Sequence, residues 1–272
     1  MTSDFTHPHA NAEIEDKSRL PDELAASISR RLDTGIRMYV PGWGRHFIRP
    51  LGVSRIIDRY YDTPDLTFQT WSKTHRKQLL LRDRHEGMVI GDVHPQNIRT
   101  REEISMIPVA DETRTLVVKM PLDQASSHER MRIATEYVVI YTEQDKEALK
   151  AQYIELLQGI LRVEFNPAAV DIRECVGKVR TSYGVFSRPT LHAPETLVIR
   201  IDLDFVVREY YGSEGISVEC YAKYEAEKQG SVTVSQFETC AQHLRAVLHI
   251  PKEVPSHTIP TLHSLEEERT RR

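Results

Sequence analysis

Glu13, Glu15 and Lys17 stand two residues apart, so in an extended strand their side chains leave from one face. Two carboxylates at that spacing suit a hard divalent cation, and a lysine beside them suits a phosphate oxygen. The same parity recurs along the chain. Arg82 and Arg84 share a face opposite Leu79, Leu81 and Asp83, and Lys178 pairs with Arg180. Lys119 lies on the parity of Thr115 and Val117. Arg130, Arg132 and Glu136 oppose Met131, Ile133, Tyr137 and Val139. Arg200, Asp202 and Asp204 oppose Leu197, Ile199, Ile201, Leu203 and Phe205, and Glu219 shares its face with Ser217, Tyr221 and Lys223. Acidic residues thus gather at the first strand and the last two, basic residues in between. An ordinary antiparallel sheet turns such positions to water. Repeated strand after strand, the pattern also describes a barrel with charges inside and apolar faces under helices. Such a lumen could hold a divalent cation on carboxylates beside a polyanion gripped by Arg and Lys, the requirement of phosphoanhydride chemistry.

The elements that must carry these residues are short strands with a few helices. Alternating or β-branched runs predict strands over 13–20, 53–62, 78–85, 114–120, 131–141, 175–186, 196–207 and 216–224. Pro21-Asp22-Glu23 predicts a helix start, with Gly35 just past its end. Residues 143–161 and 234–248 read as further helices, the latter with Ser235 as its N-cap. Asp62-Thr63-Pro64-Asp65 is a turn in which Pro fixes φ and Asp caps. Residues 87–112, of mixed charge with Gly and Pro, read as a long hairpin insertion. Without regular βαβ alternation, the fold class is α+β, mainly β: about eight antiparallel strands closed into a barrel with flanking helices. Residues 1–12 read as a polar leader, 13–250 as one domain, and 251–272 as a tail.

Composition sets the remaining bounds. The chain has 272 residues, 40% hydrophobic and 28% charged, enough for a sizeable core and too apolar for a disordered chain. No apolar run is long enough to span a bilayer and no secretory signal opens the chain, so the expectation is a cytoplasmic protein without membrane partners. A net charge of −4 argues against general nucleic-acid binding. The 3 cysteines, Cys175, Cys220 and Cys240, are too few and too far apart for a disulfide framework or a zinc site. The 12 histidines are scattered without ligand spacing and read as surface or loop residues.

Several segments, in order, resemble the CYTH, or triphosphate tunnel metalloenzyme, superfamily. Glu13-Ile14-Glu15-Asp16-Lys17 resembles its opening ExExK, and Tyr60-Tyr61-Asp62-Thr63-Pro64-Asp65-Leu66 its YYDTPDL segment. Leu80-Leu81-Arg82-Asp83-Arg84 is similar to its LRxR strand, and Thr115-Leu116-Val117-Val118-Lys119 to its TLxxK strand. Lys178-Val179-Arg180 is similar to its later basic pair. The resemblance runs from about Glu13 to Tyr224 and implies an eight-stranded antiparallel barrel around a charged tunnel. It also implies a hydrolase of triphosphate compounds (inorganic triphosphate, nucleoside or thiamine triphosphate) using Mg²⁺ or Mn²⁺. Three features depart from the family, one being the length of the 87–112 insertion. The family's closing Glu-x-Glu pair is met only by Ser217-Val218-Glu219, with the second carboxylate alone, and its Arg-x-Glu strand by Arg132 and Glu136, four apart.

The resemblance assigns metal binding to Glu13 and Glu15, with Glu219 and one of Asp202 or Asp204 completing an acidic wall. Arg82, Arg84, Lys119, Lys178 and Arg180 would bind the non-reacting phosphates, with Lys17, Arg132 and Glu136 as catalytic neighbours. The partner is then a triphosphate-containing small molecule, and a homodimer is compatible with everything above. Two alternatives stay open: an adenylyl cyclase of the same fold, and a non-catalytic nucleotide- or polyphosphate-binding module.

Overall fold

The computed structural model describes residues 9–75, 79–121, 131–162, 164–188, 194–212 and 215–251. In chain order these form β1 (His9–Leu20), α1 (Asp22–Asp33), β2 (Ile36–Val40), β3 (Gly44–Asp62), α2 (Thr67–His75), β4 (Leu80–Val89) and α3 (Arg101–Met106). They continue as β5 (Val109–Pro121), β6 (Met131–Ile140), α4 (Lys146–Leu161), β7 (Asp171–Ser187), β8 (Thr196–Gly212), β9 (Gly215–Lys228) and α5 (Val234–Leu248). The strands make one nine-stranded sheet in the order β2-β3-β4-β5-β6-β1-β9-β8-β7, with every pairing antiparallel. β3 also pairs with β7, the strand at the far end of that order, from His46↔Ser187 to Asp62↔Asp171.

The strand-face parity read from the sequence reappears as two chemically different faces. Apolar residues leave one face and are covered by helices. Ile199, Ile201, Leu203, Ala222, Tyr224 and Ala226 pack in one cluster with Ala25, Ile28 and Leu32 of α1 and Phe237, Cys240, Ala241, Leu244 and Leu248 of α5. Leu81, Leu116 and Val118 meet Tyr153, Ile154, Leu157 and Leu161 of α4, with Phe68 of α2. Ile104 of α3 lies with Ile57, Val179 and Val207, so the connection between β4 and β5 carries its own covering helix. The opposite face is charged, yet several of its carboxylates are almost fully buried, Asp58 at 0% side-chain exposure and Asp204 at 1%. Burial on the face away from these three clusters requires the sheet to curve over itself.

Local differences from the expected elements have physical reasons. β2 and the first part of β3 form a hairpin over Ile36–Ile48 that the sequence pattern did not single out. Gly42 and Gly44, at φ +75° and +86°, supply the left-handed turn. The N-cap of α5 is Thr233 rather than Ser235: its Oγ1 accepts from the Gln236 amide at 3.2 Å while Gln236 Oε1 accepts from the Thr233 amide at 3.0 Å, a reciprocal capping box. β9 runs to Lys228, four residues beyond its expected end at Tyr224.

Candidate functional site

Asp58 of β3 faces Arg84 of β4 directly across the ladder, and the Ile56↔Lys178 and Tyr60↔Arg82 registers bring two more cations in diagonally. Asp58 Oδ1 accepts from Arg84 Nε at 2.7 Å, and Oδ2 accepts from Arg84 Nη2 at 3.2 Å and from Lys178 Nζ at 2.8 Å. Arg82 Nε stands 3.7 Å from the same carboxylate, and among the described residues that buried N–H has no hydrogen-bond partner. Three cations therefore share one buried carboxylate, and with Glu86 3.9 Å from Arg84 the cluster keeps an excess of one positive charge. Against its complete burial, Lys178, Arg84 and Arg82 hold the Asp58 carboxyl well below the usual carboxylate range. Burial pulls Lys178 down, opposed by Asp58.

Beside this cluster, Arg180 donates Nε and Nη2 to Asp204 at 2.7 and 2.8 Å, reaches Asp202 at 3.0 Å through Nη1, and comes within 3.8 Å of Glu225. Asp202 also accepts from Ser182 Oγ at 2.6 Å and Arg200 Nε at 2.9 Å. Glu225 of β9 meets Lys223 at 2.5 Å and Lys17 at 3.0 Å, and Lys17 also pairs with Glu15. The ladder sets Lys17 opposite Glu225 and Glu15 opposite Glu227. Glu15, Glu225, Asp202 and Asp204 thus face Lys17, Lys223, Arg180 and Arg200, four carboxylates matched by four cations. Net positive charge lies across β3, β4 and Lys178, and the carboxylates are densest across β8, β9 and β1.

Glu15 and Glu225 hydrogen-bond to one another and titrate as a pair. Burial first, then Glu225, pushes the Glu15 carboxyl up. Against its own burial, Lys223 and Lys17 hold Glu225 down. This pair has the donor chemistry of a hard divalent cation, which takes one or two carboxylates and keeps waters and phosphate oxygens. Among the described residues, no three or more His, Cys, Asp or Glu side chains gather as a metal cage.

The remaining expected residues are placed as follows. Glu219 lies outside the Glu15–Glu225 pair: Arg19 donates to it at 2.6 and 3.2 Å, and Tyr221 stacks on that guanidinium at 4.1 Å. Lys119 is buried on β5, in register with Leu80 and Glu136. Glu13 lies opposite Arg132 in the β1–β6 ladder. The expected roles of the Glu13, Arg132 and Glu136 side chains fall outside the described residues. Asp62 takes the architectural part expected of it, accepting from the Thr63, Phe68 and Gln69 amides at 2.8, 2.9 and 3.0 Å and so capping α2.

Sequence reasoning missed two groups. Asp58 stood unremarked within a run read only as extended chain. Glu225-Ala226-Glu227, a Glu-x-Glu on the parity of Glu219, lay just beyond the point where the last strand was expected to stop. Carrying the same parity four residues further would have found it.

In comparisons with known proteins, no protein family and no curated protein matches the chain. Solved structures that align with it include the RNA triphosphatase domain of a trifunctional mimivirus mRNA capping enzyme, at TM-score 0.39 and 10% identity over 88% of this chain and 90% of that one. A triclinic structure of the mimivirus capping enzyme triphosphatase aligns at TM-score 0.38 and 11% identity over 89% and 91%. A monoclinic structure of that enzyme gives TM-score 0.36 and 11% identity over 88% and 90%. Likenesses of this size carry no functional argument.

Proposed function

We propose that this chain is a divalent-metal-dependent triphosphatase that hydrolyses the phosphoanhydride of an inorganic, nucleoside or thiamine triphosphate held against its charged face. The observation that carries the reading is the pairing of two unlike clusters on that face: a net positive one around Asp58 beside one in which four carboxylates, the Glu15–Glu225 pair among them, stand with four cations. A triphosphate needs both, cations for its non-reacting phosphates and a carboxylate-held cation at the reacting one. The β3–β7 pairing joins the ends of the β3-to-β7 strand order and supports a closed, eight-stranded tunnel as the form of the site.

Within it, Arg82, Arg84 and Lys178 grip phosphate oxygens, the arginines by paired N–H donors and Lys178 as a point charge. Arg180, tied to Asp204, is the boundary between the two sides. Lys17 bridges Glu15 and Glu225 and orients their oxygens toward the bound phosphate. Glu15, Glu225 and the neighbouring Glu13 would hold Mg²⁺ or Mn²⁺, which when bound neutralises phosphate charge and aligns an attacking water. Asp202, Asp204 and Glu219 serve as counter-ions to Arg180, Arg200 and Arg19 rather than as ligands in this reading. No helix among the described residues is long and apolar enough to cross a membrane.

The test is direct. Purified protein is incubated with inorganic triphosphate, ATP or thiamine triphosphate and Mg²⁺ or Mn²⁺, and phosphate and cyclic AMP are measured. Phosphate release supports the proposal. Cyclic AMP would assign the same grip to a cyclase, and binding without turnover would assign it to a non-catalytic binding module.

A further inference from the structure

We propose that Asp58 is a positioning residue: a fixed internal anion that holds Arg82, Arg84 and Lys178 together as one phosphate-gripping unit. This deepens the functional reading and rests on it for the identity of the ligand, though not for the ion cluster itself. Asp58 has a short side chain with no exposure, while the three cations around it have long ones, with 11%, 22% and 13% of their side chains exposed. The carboxylate therefore forms a floor from which the longer head groups rise toward the open side of the face.

Both Asp58 oxygens are used, one toward Arg84 and one shared between Arg84 and Lys178. Arg82 leans on the same carboxylate at 3.7 Å with its Nε–H unclaimed among the described residues. Without the anion, three buried positive charges would repel one another, and a buried lysine lacking a counter-ion releases its proton readily. The groups facing the cluster are Arg82, Arg84 and Glu86 on β4, Tyr60 on β3, and Glu174, Lys178 and Arg180 on β7, with Asp204 behind Lys178. Of these, Asp204 is engaged by Arg180, and Glu174 accepts from Arg208 at 2.7 and 2.9 Å. The Glu86 side chain is 37% exposed and meets Arg84 at 3.9 Å, beyond hydrogen-bond distance. Asp58 is thus the buried carboxylate that joins all three cations.

The test uses the full chain and two variants, Asp58→Asn and Asp58→Glu, each checked for folding by thermal unfolding. One readout needs no ligand: the Lys178 ammonium titration, followed by NMR on lysine-labelled protein. In Asp58→Asn its proton affinity falls by about a hundredfold, whereas in Asp58→Glu, which keeps the charge, it stays near that of the parent protein. The second readout is calorimetric titration with inorganic triphosphate. Affinity falls by about tenfold or more in both variants, because Asn removes the anion and Glu lifts it by a methylene and displaces the three head groups. If Asp58→Asn does not fold, Asp58→Glu still separates position from charge.

An unmoved Lys178 titration in Asp58→Asn, or parental triphosphate affinity in Asp58→Glu, would overturn the proposal. If the parent protein itself fails to bind triphosphate, the functional reading fails. The Lys178 readout then decides the Asp58 assignment alone: a fall in Asp58→Asn upholds it, and no fall ends it.

Discussion

Arg180→Ala tests whether the charged face is truly interior. Arg180 is 12% exposed in its side chain and its partner Asp204 1%, with two hydrogen bonds of 2.7 and 2.8 Å between them and a third contact of 3.0 Å to Asp202. Removing the guanidinium leaves the buried Asp204 carboxylate without its main cation, while Asp202 keeps Arg200 at 2.9 Å. Breaking a buried pair from one side costs about 3–5 kcal/mol, against no more than about 1 kcal/mol for a pair in water. For a domain of this size that is a loss of roughly 6–20 °C in Tm. The assay is urea unfolding of parent and variant, with unchanged slope as the check on two-state behaviour.

The pH dependence has a definite sign. Arg180 holds the Asp204 carboxyl low against its burial. In the parent, the pair's contribution is therefore complete above the ordinary carboxylate value and fades only as pH falls through the lowered one. In the variant, burial without the cation drives that carboxyl up, so it takes a proton at mildly acid pH and the deficit shrinks as pH drops from neutral. The double variant Arg180→Met/Asp204→Leu should regain much of the loss, because an apolar pair of similar volume needs no counter-charge. A deficit under about 1 kcal/mol that does not change with pH would refute the interior placement.

Other outcomes follow from the same geometry. Glu225→Gln should abolish Mg²⁺-dependent phosphate release with the fold intact, while Glu219→Gln, which touches only the Arg19 pair, should leave it unchanged; equal effects in a metal titration would dissolve the distinction. Arg82→Ala should weaken binding of a non-hydrolysable triphosphate analogue by about 2–5 kcal/mol, and exposed Arg30→Ala by no more than about 0.5 kcal/mol, as calorimetry would show. Phe237→Ala should cost about 3–5 kcal/mol of stability in urea, since that ring is fully buried where α5 covers the sheet.

How much of this was legible in the sequence depends on how local each signal is. Period-two alternation is local, and it placed Arg82, Arg84, Lys178, Arg180, Asp202 and Asp204 on the charged face and Leu81, Ile199 and Leu203 on the apolar one. Register is not local. Only the ladder reveals that Lys17 faces Glu225, or that Ile56 opposite Lys178 sets that lysine diagonal to Asp58. Glu219 was the carboxylate within the last strand as read, 216–224, whereas the strand runs on to Lys228. The strand continues because Ala226 fills a fully buried position in the α1–α5 core, where Tyr224 beside it already takes the volume. Asp58 escaped notice for the opposite reason. A single aspartate between Ile57 and Arg59 has no spacing partner in its own strand, and its meaning comes entirely from cations on two others.

The distribution of counter-ions also bears on which anion this face can select. Arg82, Arg84, Lys178 and Arg180 each lie near a carboxylate of the protein, because an unpaired charge at that depth would be too costly to bury. An incoming monoanion must therefore compete with groups such as Asp58 and Asp204 that are already hydrogen-bonded and have no translational freedom to lose. It offers one charge where one is present. A chain of phosphates competes differently. It can meet the positive excess around Asp58 with one end while its other end lies toward Glu15 and Glu225, where a divalent cation would turn the carboxylates' repulsion into attraction. Neither contact requires a native ion pair to break. On the proposed function, selectivity for several linked charges over one would arise from the protein's own carboxylates, which set a threshold that a single charge does not reach.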